Sequence, residues 1–401
     1  MRSATPLRTA LCAAATSALL SVLAAPAFAD PSEVTNTQVQ LGDVFSQQTL
    51  DVVTADSTTA VTTATGNGSL GAVENGSAHV VSSQTLSGSL TAQTRLNVSG
   101  SPGDTTALST AATGNSGDAG VTNGALTGTF TQSVTQAPLG TGLTARAQIE
   151  GEFAQGGDVS ESTQAIANSQ GFGLTASTSN VAITQSNSAD LIADGGAIMQ
   201  YVSGTAIVSA ATVGNNVTAV GVDASSMTYA ATQTNTGSLT QASKFTAYGT
   251  SQETVTSATA SANNVNSSNE GLLLDATVSQ TNSSYVRAQA EETSFEFGSA
   301  STTAYGVGNT SLAGNYGAEL HFDNNQINSG GGIESVASFS GDTGYACSQC
   351  TGTMSVTNHQ TNSADVGATN TLALTGGARN VTGVSTAVGN SGSFYVSAPH
   401  N

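Results

Sequence analysis

From Leu90 to Val98 the chain reads Leu-Thr-Ala-Gln-Thr-Arg-Leu-Asn-Val, with Leu90, Ala92, Thr94, Leu96 and Val98 on one side and Gln93, Arg95 and Asn97 between them. Period-two alternation marks a strand with one face turned inward and one turned to solvent. Short runs of this kind return along the chain, whereas the 3.6-residue spacing of an amphipathic helix does not recur beyond residue 29. The pattern therefore predicts an all-β protein. Its inward positions carry small or medium side chains, so one strand pair can bury little apolar area by itself. Such strands acquire a core by stacking on like neighbours.

Two marker sequences give the stacking a period. Gln-x-Asn-Ser/Thr occurs at Gln185-Ser186-Asn187-Ser188, Gln233-Thr234-Asn235-Thr236, Gln280-Thr281-Asn282-Ser283, Gln326-Ile327-Asn328-Ser329 and Gln360-Thr361-Asn362-Ser363, with weaker copies at Gln38, Gln84 and Gln132. Successive marker Gln residues are 46, 48, 53, 48, 47, 46 and 34 residues apart. The second marker is Gly-Asn, at Gly66-Asn67, Gly114-Asn115, Gly214-Asn215, Gly308-Asn309 and Gly389-Asn390, with Ala167-Asn168 and Ala262-Asn263 as degenerate copies. In six units the marker Gln follows this Asn by 17 or 18 residues. An apolar residue stands six places after the Gln in six of eight units, at Val44, Leu90, Leu191, Leu239, Val286 and Val366, with Pro138 and Gly332 as exceptions.

These regularities predict a parallel β-solenoid built from about eight imperfect repeats of roughly 47 residues. Gly-Asn is expected at a corner, because both residues tolerate positive φ. Marker amides are expected to bond to their copies in neighbouring repeats. A repeat of this length is long for one small coil, so two or more turns per repeat are predicted. A string of hairpins or β-sandwiches is the alternative with the same alternation. The 53-residue unit carries an insertion between Pro138 and Gln164, and the unit from Gln326 to Gln360 is shortened and lacks Gly-Asn.

Arg2 and Arg8, the apolar run Leu11–Ala25 and Ala27-Phe28-Ala29 read as a signal peptide over residues 1–29, leaving 30–401 as one repetitive domain. Beyond residue 29 five basic residues face all 26 acidic ones, a formal charge of −21. Such a surface repels phosphate backbones, which excludes nucleic acid as a partner. Residues 391–401 show no apolar helix or sorting motif, so a chain that stays on the cell is expected to be held there by a partner.

The chemistry-bearing residues are few. Cys347 and Cys350 form the C-x-x-C of the shortened unit; in an exported chain this reads first as a tight local disulfide. A zinc site would need two more ligands, for which His321 and His359 are candidates, and a redox site would need a βαβ context. His79, His321, His359 and His400 share no motif, and neither a Ser-His-Asp pattern nor a G-x-S-x-G elbow appears. No catalytic residue, metal or cofactor is assigned. Candidate binding residues are Gln185, Asn187, Gln233, Asn235, Gln280, Asn282, Gln326 and Asn328, as an outward polar row that could meet sugar hydroxyls. The competing reading has these amides satisfying one another along the stack.

The Gln-x-Asn-Ser units, the Gly-Asn segments and the Ala-Phe-Ala leader end resemble the holdfast anchor protein D family of stalked alphaproteobacteria, across the whole of 1–401. The Gln and Asn spacing is also similar to that of curlin subunits, whose repeats are much shorter. The resemblance implies a non-enzymatic cell-surface protein, associated with the outer membrane, that attaches an extracellular adhesive polysaccharide, the holdfast. It further implies other anchor proteins and a curli-type outer-membrane secretion pore as partners. Two other functions fit the residues: a self-associating fibre or adhesin subunit, and a β-helix carbohydrate-active enzyme, which would need acidic side chains gathered in one groove.

Overall fold

A computed structural model describes residues 31–137, 140–315, 319–329, 331–342, 353–361, 365–375 and 380–396. The leader 1–29 and the pair Cys347 and Cys350 lie outside the described residues. All assigned pairings between strands are parallel. They build two sheets. The narrow one stacks seven strands in chain order: Ser32–Gln40, Ala78–Ser87, Ala125–Thr135, Thr178–Asn187, Ser226–Asn235, Leu273–Asn282 and Glu319–Asn328. The broad one is dominated by four long strands, Leu143–Thr175, Leu191–Val222, Leu239–Asn269 and Tyr285–Asn315. The all-β parallel β-solenoid is the observed fold.

The long strands wrap around a core. In Leu191–Val222 the residues Leu191, Ala193, Ala197 and Met199 are buried, then Val202, Ala206, Val208, Ala210 and Thr212. Gly214 and Asn215 are then buried side by side, which reverses the phase, and Val217 and Ala219 continue inward. Two adjacent inward residues turn the chain through a corner while the pairing to neighbouring coils continues. The interior holds three apolar clusters: one rich in alanine around Leu90, Leu143 and Leu191, one around Phe130, Phe172 and Met227, and one around Ile149, Met199 and Tyr248.

The register corrects the expected number of turns. Gln38, Gln84, Gln132, Gln185, Gln233, Gln280 and Gln326 are direct partners down the narrow sheet. One repeat therefore makes one turn, not two or more. The coil is wide because a strand of 31 to 33 residues passes through several sides before the chain returns to the narrow sheet.

Two local expectations also change. Gly-Asn does mark a corner, but positive φ is found elsewhere, at Asn75, Asn123, Ala176, Asp223 and Ala224, where the chain turns into the narrow sheet. Glycine at the corner supplies room: a Cβ on Gly214 would stand 2.3 Å from the Ala262 carbonyl oxygen. The apolar slot after the marker is filled by Leu90, Leu143, Leu191, Thr240, Val286 and Ile333. Leu143 and Ile333 stand in for Pro138 and Gly332. Thr240 replaces Leu239, whose side chain is only half-buried, because the pairing there slides to 49 residues. Gln84 and Gln132 pair at 48 residues and Leu90 and Leu143 at 53, so the insertion lies between Gln132 and Leu143.

One turn per repeat predicts how deletions behave. Removing residues 188–235 takes out one coil in register, and circular dichroism and denaturant unfolding should show an all-β protein with one cooperative transition. Removing residues 188–211 puts the narrow sheet out of register with the broad one and should abolish folding.

Candidate functional site

Side-chain amides run through the interior as ladders. Each marker Gln donates from Nε2 to the Oε1 of the Gln one coil nearer the N-terminus: Gln84 to Gln38 at 2.9 Å, then Gln132 to Gln84, Gln185 to Gln132, Gln233 to Gln185, Gln280 to Gln233 and Gln326 to Gln280, all at 2.8 Å. The corner asparagines donate the opposite way, from Asn67 through Asn115, Asn168, Asn215 and Asn263 to Asn309 at 2.8 Å per step, and from Asn309 to Asn390 at 2.9 Å. Asn390 takes the rung that the shortened unit lacks. A third ladder links Asn187, Asn235, Asn282 and Asn328, also donating toward the C-terminus.

In the Gln and corner-Asn ladders the second N–H joins opposite walls, whereas Asn187 and Asn282 of the third ladder donate to the carbonyls of Ala189 and Ser284 just beyond them. Asn215 donates to the Thr234 carbonyl, beside Gln233, at 2.9 Å. Gln233 donates to the Asn264 carbonyl, beside Asn263, at 2.9 Å. The same pair of bonds recurs in the other coils, for instance Asn115 to Ser133 and Gln132 to Ser169. Of the eight candidate binding residues, Gln185, Asn187, Gln233, Asn235, Gln280 and Asn282 are fully buried, and Gln326 and Asn328 are partly buried. An outward row meeting sugar hydroxyls is thus corrected. The alternation turns these side chains inward, and the donors of Gln185, Asn187, Gln233, Gln280 and Asn282 go to one another and to the backbone.

Ionisable groups are buried in the same interior. Lys244 and Glu161 are fully enclosed, with Nζ 2.5 Å from Oε1. Lys244 reaches back past the strand Leu191–Val222, where Nζ also lies 3.4 Å from the Asp194 carbonyl oxygen. Burial pushes the Glu161 carboxyl up, against the opposing pull of Lys244. Glu292 accepts from the hydroxyls of Thr254 and Thr256, and burial raises its pKa to about 7. Tyr248 lies beside both carboxylates; burial, then Glu292 and Glu161, hold its hydroxyl well above its ordinary value. Sequence inspection missed this cluster. Its one signal is that Lys244 and Glu292 occupy inward positions of alternating strands.

Over this cluster the outer face is indented. The cleft, about 290 Å³, lies between Arg146 and Gln148 on one side and Ser243, Phe245 and Glu291 on the other, with Gly195 and Gly196 in its floor. Arg146 forks onto Asp194 at 2.9 and 3.0 Å. Among the described residues no group of three or more His, Cys, Asp or Glu side chains could hold a metal ion.

Coils in continuous register, cross-linked internally by amide ladders, define a repetitive scaffold protein of the parallel β-solenoid class. The family model of holdfast attachment protein D matches residues 52–332, and the chain belongs to that family. The matched span takes in most of the Gln and Asn ladder positions. No curated protein and no solved structure matches the chain.

Two predictions follow from the interior. Asn215→Ala strands the Asn168 donor and the Asn263 acceptor in a dry core, and should cost about 3 kcal/mol in denaturant unfolding. Gln38→Ala, at the end of its ladder, should cost less than about 1 kcal/mol. The second concerns pH. Glu292 binds its proton more tightly when folded, so its contribution is complete below its ordinary pKa of 4.5 and is lost as pH rises to about 7. The loss is roughly 3 kcal/mol. Glu292→Gln should remove that slope between pH 4.5 and 7 and be the more stable protein at pH 8.

Proposed function

We propose that this holdfast attachment protein is a non-enzymatic structural link between the cell envelope and an adhesive polysaccharide. The observation that carries the reading is the set of uninterrupted amide ladders. Each ladder ties a coil to both neighbours through buried bonds, and the cross-bonds keep opposite walls together. A link that must transmit force benefits from such a column, because separating two coils means breaking several amide bonds along with the backbone ladders at once. In this reading residues 1–29 direct export. Other anchor proteins and a curli-type secretion pore place and hold the chain at the outer membrane, and Cys347 and Cys350 close a local disulfide.

One observation favours self-association as a second reading. Strands Ser32–Gln40 and Val44–Thr54 have a neighbour on one side only among the described residues, and this first coil exposes Val39, Leu41, Phe45, Val53, Val61 and Leu70. Open strand edges recruit further strands.

Deleting the gene in its host should release adhesive polysaccharide into the medium while its synthesis continues, as scored by staining cells and medium. Adhesive that stays on the cells with attachment intact would overturn the anchor reading. Purified protein that forms detergent-resistant multimers, in a host whose adhesive is retained without it, would favour the fibre subunit.

A further inference from the structure

We infer that the outer cleft over Gly195 and Gly196, with the aromatic flank beside it, is a binding site for an uncharged polysaccharide chain. The inference rests on the anchor reading and names the surface that meets the polymer.

The cleft follows from the backbone. Gly195 and Gly196 have φ of 128° and 152°, in the region closed to most side chains. A Cβ on Gly195 would stand 1.6 Å from the Ala147 carbonyl oxygen, and one on Gly196 1.7 Å from that of Phe245. Neither position can carry a side chain: Gly196, beside the outward Gln148, leaves a gap in the outward row at this coil, and Gly195, beside the buried Ala147, leaves one in the inward row. The register puts Arg146 beside Asp194 and Gln148 beside Gly196 on one border, and on the other pairs Ser243 with Gln289 and Phe245 with Glu291. Beneath the gap the buried Lys244–Glu161 pair ties together the coils on either side of it.

The aromatic rings supply a second, independent observation. The chain has 11 Phe, 8 Tyr and no Trp. Four coils in succession expose a ring on this flank: Phe153 at 70 %, Tyr201 at 38 %, Phe245 at 50 % and Phe295 at 57 %. Phe245 borders the cleft. The other three lie at the bend just after it, where Tyr201 pairs with Gln155 and with Thr250, and Thr250 with Glu296. A phenyl ring turned to water adds nothing to folding, and the core has slots for such rings, as at Phe130 and Phe172. Each coil rises about 4.8 Å along the axis, so the rings of Phe153, Tyr201 and Phe295 at the bend stand one and then two coils apart, close to the lengths of one and two pyranoses in an extended chain. The C–H faces of sugars pack on such rings, and their hydroxyls both donate and accept.

Charge selects the polymer. Arg146 is neutralised by Asp194, and Gln289 donates to Glu291. No unpaired cation at the cleft recruits an anionic sugar, and the formal charge of −19 repels one. The polar groups that remain suit hydroxyls: carboxylates of Asp194 and Glu291 to accept, Gln148 to do both.

The test uses the full exported chain and two probes: adhesive polysaccharide collected from the medium of the deletion strain, and a series of uncharged hexose oligosaccharides. Wild-type protein should bind the polysaccharide with little change at 0.5 M salt. Phe245→Ser, and separately the triple change Phe153→Ser, Tyr201→Ser, Phe295→Ser, should weaken binding at least tenfold with unfolding transitions unchanged, since all four rings are exposed. Expressed in cells, either variant should reach the surface yet shed adhesive. Wild-type binding that both variants retain within twofold overturns the site and leaves the anchor reading standing. Binding lost on adding salt overturns the uncharged class, and a wild-type chain that binds neither probe overturns the inference altogether, while the deletion experiment still decides the anchor reading.

Discussion

A primary amide carries donors and an acceptor in one short group, and that is what the interior of this protein depends on. Stacked at one inward position of successive coils, each amide accepts from one neighbour and donates to the other, and its second N–H is free for the facing wall. A core as wide as this one could not be filled by alanine, valine and threonine alone. The ladders separate the cluster around Leu90, Leu143 and Leu191 from that around Phe130, Phe172 and Met227, and buried threonines such as Thr94 and Thr110 set off the third, so that modest side chains can pack each compartment. Because an unpaired amide in such a core costs more than a satisfied one contributes, any slip of one coil against the next is penalised at every ladder together. The glutamines donate toward the N-terminal end and the asparagines toward the C-terminal end, so the aligned dipoles oppose one another and do not accumulate along the stack.

Lys244, Glu161 and Glu292 depart from that rule. They put ionisable groups where the paired positions of neighbouring coils are neutral, Leu108 and Val208 beside Glu161 and Ala290 beside Lys244, and the price is visible in the raised pKa values of both carboxyls. Lys244 spans a coil that has been opened by Gly195 and Gly196, and its bond to Glu161 restores contact across the gap. The buried pair and the surface cleft are thus two sides of one irregularity. It falls inside the span shared with the family of holdfast attachment proteins.

A stack of this kind suits attachment for a physical reason. Side chains at equivalent outward positions repeat along the axis at the spacing of the coils. A polymer with its own short repeat can then be met at several points, and weak contacts add when they are linked. The rings of Phe153, Tyr201 and Phe295, exposed at one bend of the stack, have that arrangement, and Phe245 stands at the cleft just before it.

Period-two alternation and the Gln and Asn markers made the all-β fold, the parallel stacking and the repeat legible in the sequence, because identical residues at one phase can pair only with their own copies. The amide ladders were legible for the same reason. The number of turns per repeat was not, since it depends on how far a strand runs before it bends, and the bend is written as two adjacent inward residues that look like a break in the pattern. Nor could the sequence say which way the amides face: inward and outward positions of a strand differ by one residue, and only the closed coil fixes which wall is inside. Lys244 and Glu161 stand 83 residues apart, with nothing local to join them. Phe153, Tyr201, Phe245 and Phe295 follow no common spacing from the markers. Their meeting on one flank was decided by the tertiary structure, which converts distance along the chain into height along the stack.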